Sequence, residues 1–184
     1  MNVLKDIPNL TMTTILIVED EPLLGRAYEN ILKEIQSEAQ GDPFKITTCK
    51  SYPSAIAFLA YCEEHLKTID VCLLDYRLDI KNDTDSNGLI IGQRIRTSHP
   101  NCKIVVITSI GDHYLWHQIL EDLNPSGFLI KSDTEYEILK KNLILLLSGS
   151  RVYSKKINDF IKRRSPLLKL KIDERDLQII RLMD

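Results

Sequence analysis

The 184-residue sequence contains no CxxC pair and no metal-ligand spacing of cysteines. Cys49, Cys62, Cys72 and Cys102 are scattered, and two of them sit inside the apolar runs "FKITTC" and "VCLL". That distribution excludes a disulfide framework and a cysteine zinc site, and predicts buried free thiols in a reducing compartment. Long hydrophobic runs are missing too. The longest, near "LILLLS", falls far short of the ~20 apolar residues a bilayer-spanning helix needs. The opening "MNVLKDIPNL" carries Asp6 and Pro8 and no long apolar stretch, so no secretory signal is expected. Neither charge sign is in surplus. With 24 basic and 26 acidic residues the net charge is -2, so only local clusters bear on partners. There is no internal repeat and no low-complexity tract. The expectation is a cytoplasmic protein without membrane association, made of one ordinary domain and a short appendage.

What is present is alternation. "TILIVED", "FKITTC", "DVCLLD", "CKIVVITS" and "SGFLIK" read as strands. Between and after them, "EPLLGRAYENILKEIQSEAQ", "SYPSAIAFLAYCEEHL", "NGLIIGQRIRTSH", "DHYLWHQILEDL" and "DTEYEILKKNLILLLS" carry apolar residues at helical spacing. The inner strands are continuous apolar runs rather than in/out alternations, the pattern of strands covered on both faces. Five strands alternating with five helices predict an α/β fold, a doubly wound parallel sheet with right-handed crossovers.

In such a sheet, ligands bind beyond the carboxyl ends of the strands. Strand one ends in Glu19-Asp20, strand three in Asp75, strand four in Thr108-Ser109 and strand five in Lys131. Each residue has an ordinary explanation by itself, such as a helix-opening acid or a surface lysine. Their coincidence on one edge does not. Two carboxylates at ~4 Å repel by roughly 4 kcal/mol at an effective dielectric near 20. A cluster that tolerates this repulsion suits a hard cation with oxygen ligands, and magnesium fits best.

"ILIVEDEP", "LLDYRL", "VVITS" and "GFLIKSD" resemble, in order, the signature stretches of the response-regulator receiver domain of two-component signalling. The resemblance spans residues 13–147 and implies a flavodoxin-like sheet of order 2-1-3-4-5. It implies that Asp75 is the phosphoacceptor for a phosphohistidine on a sensor histidine kinase or phosphotransfer protein. It further implies Mg²⁺ held by Glu19, Asp20, Asp75 and the Arg77 carbonyl, with Thr108 and Lys131 on the phosphoryl oxygens. Thr108 and Phe128 would form the switch that repacks the face of the fourth helix, fifth strand and fifth helix. Homodimerisation on phosphorylation is compatible with that family, and turnover as an enzyme is not expected.

The sequence departs from the family pattern in three places. Asp79 follows "DYRL" where a proline is usual, and the polar stretch "IKNDTDSNG" delays Gly88 by about five residues. Asp83 and Asp85 there mimic part of a calcium loop, but the glutamate that would complete it is absent. Ser132 follows Lys131 in place of proline, as in the LuxR-type subgroup. Arg77, two residues after the acceptor, stands where the family tunes the lifetime of the acyl phosphate. Elsewhere, His113, His117 and Glu121 share one side of the fourth helix without a fourth zinc partner, and read as a solvated face. Trp116, Leu120 and Leu123 form a second stripe there, either core or a partner surface.

Residues 148–171 hold Arg151, Lys155, Lys156, Lys162, Arg163, Arg164, Lys169 and Lys171 against a single acid, Asp159. They read as a basic linker, partly helical near 157–161. Residues 172–184, "IDERDLQIIRLMD", resemble the first helix of a LuxR-type helix-turn-helix domain, with Asp173 as cap and Leu177, Ile180 and Leu182 as packing face. The expectation is a DNA-binding output domain of which only the start is present, giving transcriptional control. Two rival readings stand beside the signalling one. A phosphorylation-independent binding module would have lost the acceptor or acidic pair, and an aspartyl-phosphate phosphatase of the haloacid dehalogenase type would carry its nucleophile on strand one.

Overall fold

Alternate residues of each central strand enter opposite cores, so these strands are buried along almost their whole length, whereas the edge strand Lys45–Cys49 is only partly buried. The computed structural model describes residues 13–39, 43–78 and 87–164. It contains β1 (Thr14–Val18), α1 (Pro22–Ala39), β2 (Lys45–Cys49), α2 (Tyr52–Glu64), β3 (Val71–Leu74) and α3 (Asn87–Ser98). There follow β4 (Lys103–Thr108), α4 (His113–Leu123), β5 (Gly127–Ile130), α5 (Tyr136–Leu147), β6 (Val152–Tyr153) and α6 (Lys155–Arg164). The polar stretch with Asp83 and Asp85, and the 172–184 segment with Asp173, lie outside the described residues.

All strand pairs are parallel, in the order β2-β1-β3-β4-β5-β6. Ile15, Ile17, Leu73, Val105, Ile107 and Leu129 face a core closed by α1 and α5. Leu16, Val18, Cys72, Leu74, Ile104, Val106 and Phe128 face the other, covered by α2, α3, α4 and α6. On α1 the buried set Tyr28, Ile31, Leu32 and Ile35 follows the i, i+3, i+4, i+7 rule. Trp116, Leu120 and Leu123 are buried, so the second stripe of α4 is core. All four cysteines are buried and free, as expected from their setting in apolar runs. Among the described residues no helix is long and apolar enough to cross a membrane.

Helix ends are set locally. Ser51 caps α2 in a reciprocal box with Ser54, and the Asp112 carboxylate accepts from the Tyr114 and Leu115 amides at the start of α4. Arg96 closes the other end of α4, donating to the Leu123 carbonyl at 2.8 Å and the Asn124 carbonyl at 3.2 Å.

The expected five-strand, five-helix count and the boundary at residue 147 need correction. The start of the expected linker, through Arg164, contains a sixth strand and a sixth helix belonging to the same body. β6 pairs with β5 through Gly127↔Val152 and Phe128↔Tyr153. Ile157, Phe160 and Ile161 enter the core under α6, while Lys155, Lys156, Lys162 and Arg163 face solvent. The basic composition conceals this, because a two-residue strand has no period and one apolar stripe is diluted by the charged face. Gly127 fits the added strand. A Cβ there would lie 2.9 Å from Val105 Cγ1 and Val152 Cγ2.

Val152, Tyr153, Ile157, Phe160 and Ile161 are each less than a tenth exposed. Fully burying one such side chain stabilises by about 1.5–3 kcal/mol. A chain ended at Leu147 is therefore expected to lose several kcal/mol relative to one ended at Arg164. Urea unfolding of the two proteins checks this; equal midpoints would restore the linker reading.

Candidate functional site

β1 and β3 are neighbours, and their ladder runs on past the strands: the Asp75 amide donates to the Val18 carbonyl at 2.9 Å. On the other side the Glu19 amide donates to the Cys49 carbonyl at 3.0 Å. These bonds hold both acidic residues at the carboxyl rim. β4 contributes Thr108, in register with Ile130, and Lys131 follows directly as β5 gives way to a single 3₁₀ turn at Lys131–Asp133. The rim thus collects the strand-end residues that the sequence places there. Asp20, Asp75, Arg77, Thr108 and Lys131 line a cleft of about 280 Å³. Glu19, only 1% exposed, lies buried at the rim and does not line it.

Lys131 organises the charges. Its ammonium lies 2.7 Å from Asp75 Oδ2, 3.0 Å from Glu19 Oε2 and 3.5 Å from Glu21 Oε1. The second Asp75 oxygen, Oδ1, accepts the Arg77 amide at 3.0 Å. That bond brings the Arg77 backbone against the carboxylate, although its side chain is exposed. Carboxylate oxygens of Glu19, Asp20 and Asp75 lie within 4.8 Å of one another. Glu19, Glu21 and Asp75 around one ammonium, with Asp20 beside Glu19 and Asp75, leave negative charge uncompensated. Glu19, Asp20 and Asp75 make the kind of oxygen set that a hard divalent cation takes up. Among the described residues His113, His117 and Glu121 form no such group. His113 packs instead on Trp116 and Phe160, with ring centroids 4.8 and 5.2 Å away.

Burial and crowding show in the acid strengths. Burial, then the neighbouring Asp75 charge, push the Glu19 carboxyl up to about 7 despite Lys131. Burial also raises Asp75 above the usual carboxylate range, against the pull of Lys131. For Lys131, burial works against the ammonium, but its bonds to Asp75 and Glu19 prevail and hold it above its ordinary value.

Two contributors carry no motif. Tyr28, on the inward stripe of α1, is raised by burial and by the charges of Glu19 and Asp75, and its hydroxyl bonds Glu19. Only its place in the helical stripe points inward, since nothing in the sequence marks a tyrosine eight residues after the acidic pair. Gly88 is the other. Its amide donates to the Tyr76 carbonyl at 3.2 Å, and a Cβ there would sit 2.4 Å from that oxygen and 2.7 Å from the Asp75 backbone carbonyl oxygen. Despite its displaced spacing, Gly88 lets α3 close against the backbone of the site. Of the two switch candidates, Thr108 is fully buried and its hydroxyl accepts the Ile110 amide at 3.3 Å. Phe128 is fully buried, edge-on to Trp116 at 6.5 Å.

A carboxyl whose pKa rises on folding takes up a proton as the chain folds. Between about 4.5 and 7 the folded state then binds more protons than the unfolded one, and the stability owed to Glu19 falls as pH rises through that window. In chelator, Glu19→Gln is expected to flatten this fall, read from urea midpoints at pH 5 and pH 7.5. A separate expectation concerns Gly88→Ala, which must displace the 75–77 backbone and shift the amide resonances of those residues while the distant β2 resonances stay in place.

The family model of the response regulator receiver domain matches residues 15–142. The nitrate/nitrite response regulator protein NarP of Escherichia coli (strain K12) is 28% identical over 162 residues, covering 85% of this chain. The chain spans 65% of that relative's length. Among solved structures, the isolated REC domain of RcsB from Salmonella enterica serovar Typhimurium, with phosphomimetic BeF3-, superposes with a TM-score of 0.62 at 16% identity. That similarity covers 82% of this chain and 99% of the other. A LuxR-family two-component response regulator from Aurantimonas sp. SI85-9A1 gives 0.59 at 17% identity, covering 85% and 99%. At these identities the structures speak for the fold, and the family match extends over more than half the chain. A parallel sheet with an acidic cleft at its carboxyl rim thus agrees with the sequence match, and the chain belongs to the response regulator receiver domain family.

Proposed function

We propose that this chain is a phosphorylation-controlled switch in which Asp75 accepts a phosphoryl group from a phosphohistidine of a sensor histidine kinase or phosphotransfer protein. The observation that carries the reading is the Lys131–Asp75 contact of 2.7 Å, made in an open cleft that Asp20 also lines, with the buried Glu19 carboxylate within 4.8 Å of both acids. An Asp75 oxygen attacks phosphorus, the P–N bond to the donor imidazole breaks, and an acyl phosphate remains. Burial keeps Asp75 poorly hydrated, and the Arg77 amide and Lys131 fix its plane. Such transfer is largely positioning and neutralisation of charge. Glu19, Asp20, Asp75 and the Arg77 carbonyl are the groups that would hold Mg²⁺, which when bound neutralises charge on the transferred phosphoryl oxygens. Lys131 and the Thr108 hydroxyl serve the other oxygens.

Drawing the Thr108 hydroxyl towards the phosphoryl group strains the bond it accepts from the Ile110 amide at 3.3 Å, and Phe128 lies in the core on the neighbouring strand. A charge placed at one rim thereby changes packing on the α4–β5 face. The helix-turn-helix resemblance of residues 172–184 supports a transcriptional output, and the likeness to the response regulator NarP is in keeping with it. The acceptor on β3, rather than on β1, disfavours the phosphatase alternative.

Acetyl phosphate with Mg²⁺ is expected to load one labile phosphoryl group per chain, read by intact mass, and Asp75→Asn to abolish it. Lys131→Ala is expected to retain beryllofluoride binding and lose the accompanying change in Trp116 emission. Repeated turnover of a phosphomonoester would overturn the assignment.

A further inference from the structure

Helix α6 meets α4 through Phe160 and the turn after β5 through Lys156, and so stands close to both proposed phosphoryl-coordinating groups. One route starts at Thr108, whose hydroxyl accepts the Ile110 amide at 3.3 Å. The Ile110 carbonyl accepts the indole N–H of Trp116 at 2.7 Å. That indole meets Phe160 of α6 edge-on, with centroids 5.5 Å apart at 88°, and also neighbours His113 at 4.8 Å and Phe128 at 6.5 Å. Two residues, Ile110 and Trp116, are all that separate Thr108 from α6. The second route starts at Lys131. The 3₁₀ turn it opens contains Ser132 and Asp133, and Lys156 of α6 holds both, 2.6 Å from the Asp133 carboxylate and 3.1 Å from the Ser132 hydroxyl. β6 ties the helix down between these routes, since the Ser154 amide donates to the Phe128 carbonyl at 3.0 Å.

The α4–β5 surface is therefore covered by a segment of the same chain. Its apolar partner residues, Ile157, Phe160 and Ile161, are buried there, while the basic face of α6 is turned to solvent. We propose that α6 is the built-in partner of this surface and that its seating opposes loading of Asp75. The inference rests on Asp75 being the acceptor. Loading draws the Thr108 hydroxyl from Ile110 and Lys131 towards the new oxygens. The first movement unsettles the indole on which Phe160 rests; the second shifts the turn that Lys156 holds. Both loosen the same helix. Coupling of this kind is reciprocal, so anything that unseats α6 tightens binding at Asp75 by the same factor.

The test uses the full chain with Mg²⁺ and beryllofluoride. Bound fluoride, seen by ¹⁹F NMR, reports the site, and amide hydrogen exchange of residues 157–164 reports the helix. The expected result is exchange in α6 accelerated by about tenfold or more, the scale of a coupling of ~1.4 kcal/mol, as fluoride binds. Phe160→Ala is expected to raise α6 exchange without beryllofluoride and to tighten its binding. Should that variant not fold, Lys156→Met removes only a half-exposed contact and is expected to move both readouts in the same direction, about two- to five-fold. Bound fluoride with unchanged or slowed α6 exchange overturns the proposal while leaving Asp75 as acceptor. Unchanged beryllofluoride affinity in every folded variant also overturns it. Absence of any bound fluoride overturns the acceptor reading, and this inference with it.

Discussion

The ammonium of Lys131, held against the buried carboxyls of Asp75 and Glu19, is the contact on which the rest of the rim depends. Without it, acidic groups from β1 and β3 would face one another inside a low-dielectric rim, where repulsion of several kcal/mol opposes their ionisation. With it, the cluster is only partly compensated. Glu19 is still pushed up to about 7, so the site remains biased towards taking further positive charge. Under the proposed function such a rim takes a cation and an anion bridged by that cation, the combination that phosphoryl transfer needs.

The same lysine links the site to the rest of the molecule, because it opens the turn on which α6 is pinned. Thr108 does so from the next strand through Ile110 and Trp116. A single core therefore carries both the rim and the terminal helix, and the aromatic contacts among Phe128, Trp116 and Phe160 are where the two meet. Close-packed interiors respond to such shifts by changing between discrete arrangements rather than by yielding gradually. The α4–β5 surface is thus already part of an intramolecular interface, and any partner that uses it competes with α6.

Parallel strands in a doubly wound sheet must bury both faces, so they spell themselves out as unbroken apolar runs, and their carboxyl ends are marked where polarity returns. For that reason the first five strands, their helices and the strand-end placement of Glu19, Asp20, Asp75, Thr108 and Lys131 are legible from residue order alone. The buried thiols follow from the same runs. Packing decided what composition hides. A two-residue β6 carries no period, and three apolar residues among lysines and arginines look like a linker until Gly127 leaves room for Val152 and Trp116 receives Phe160. Tyr28 reaches Glu19, and Gly88 closes on Asp75, only because the helices they sit on are brought over the rim from distant parts of the chain. Local sequence determines which residues want to be buried and where charge resumes; which of them meet is settled by the three-dimensional closeness of segments that the chain holds far apart.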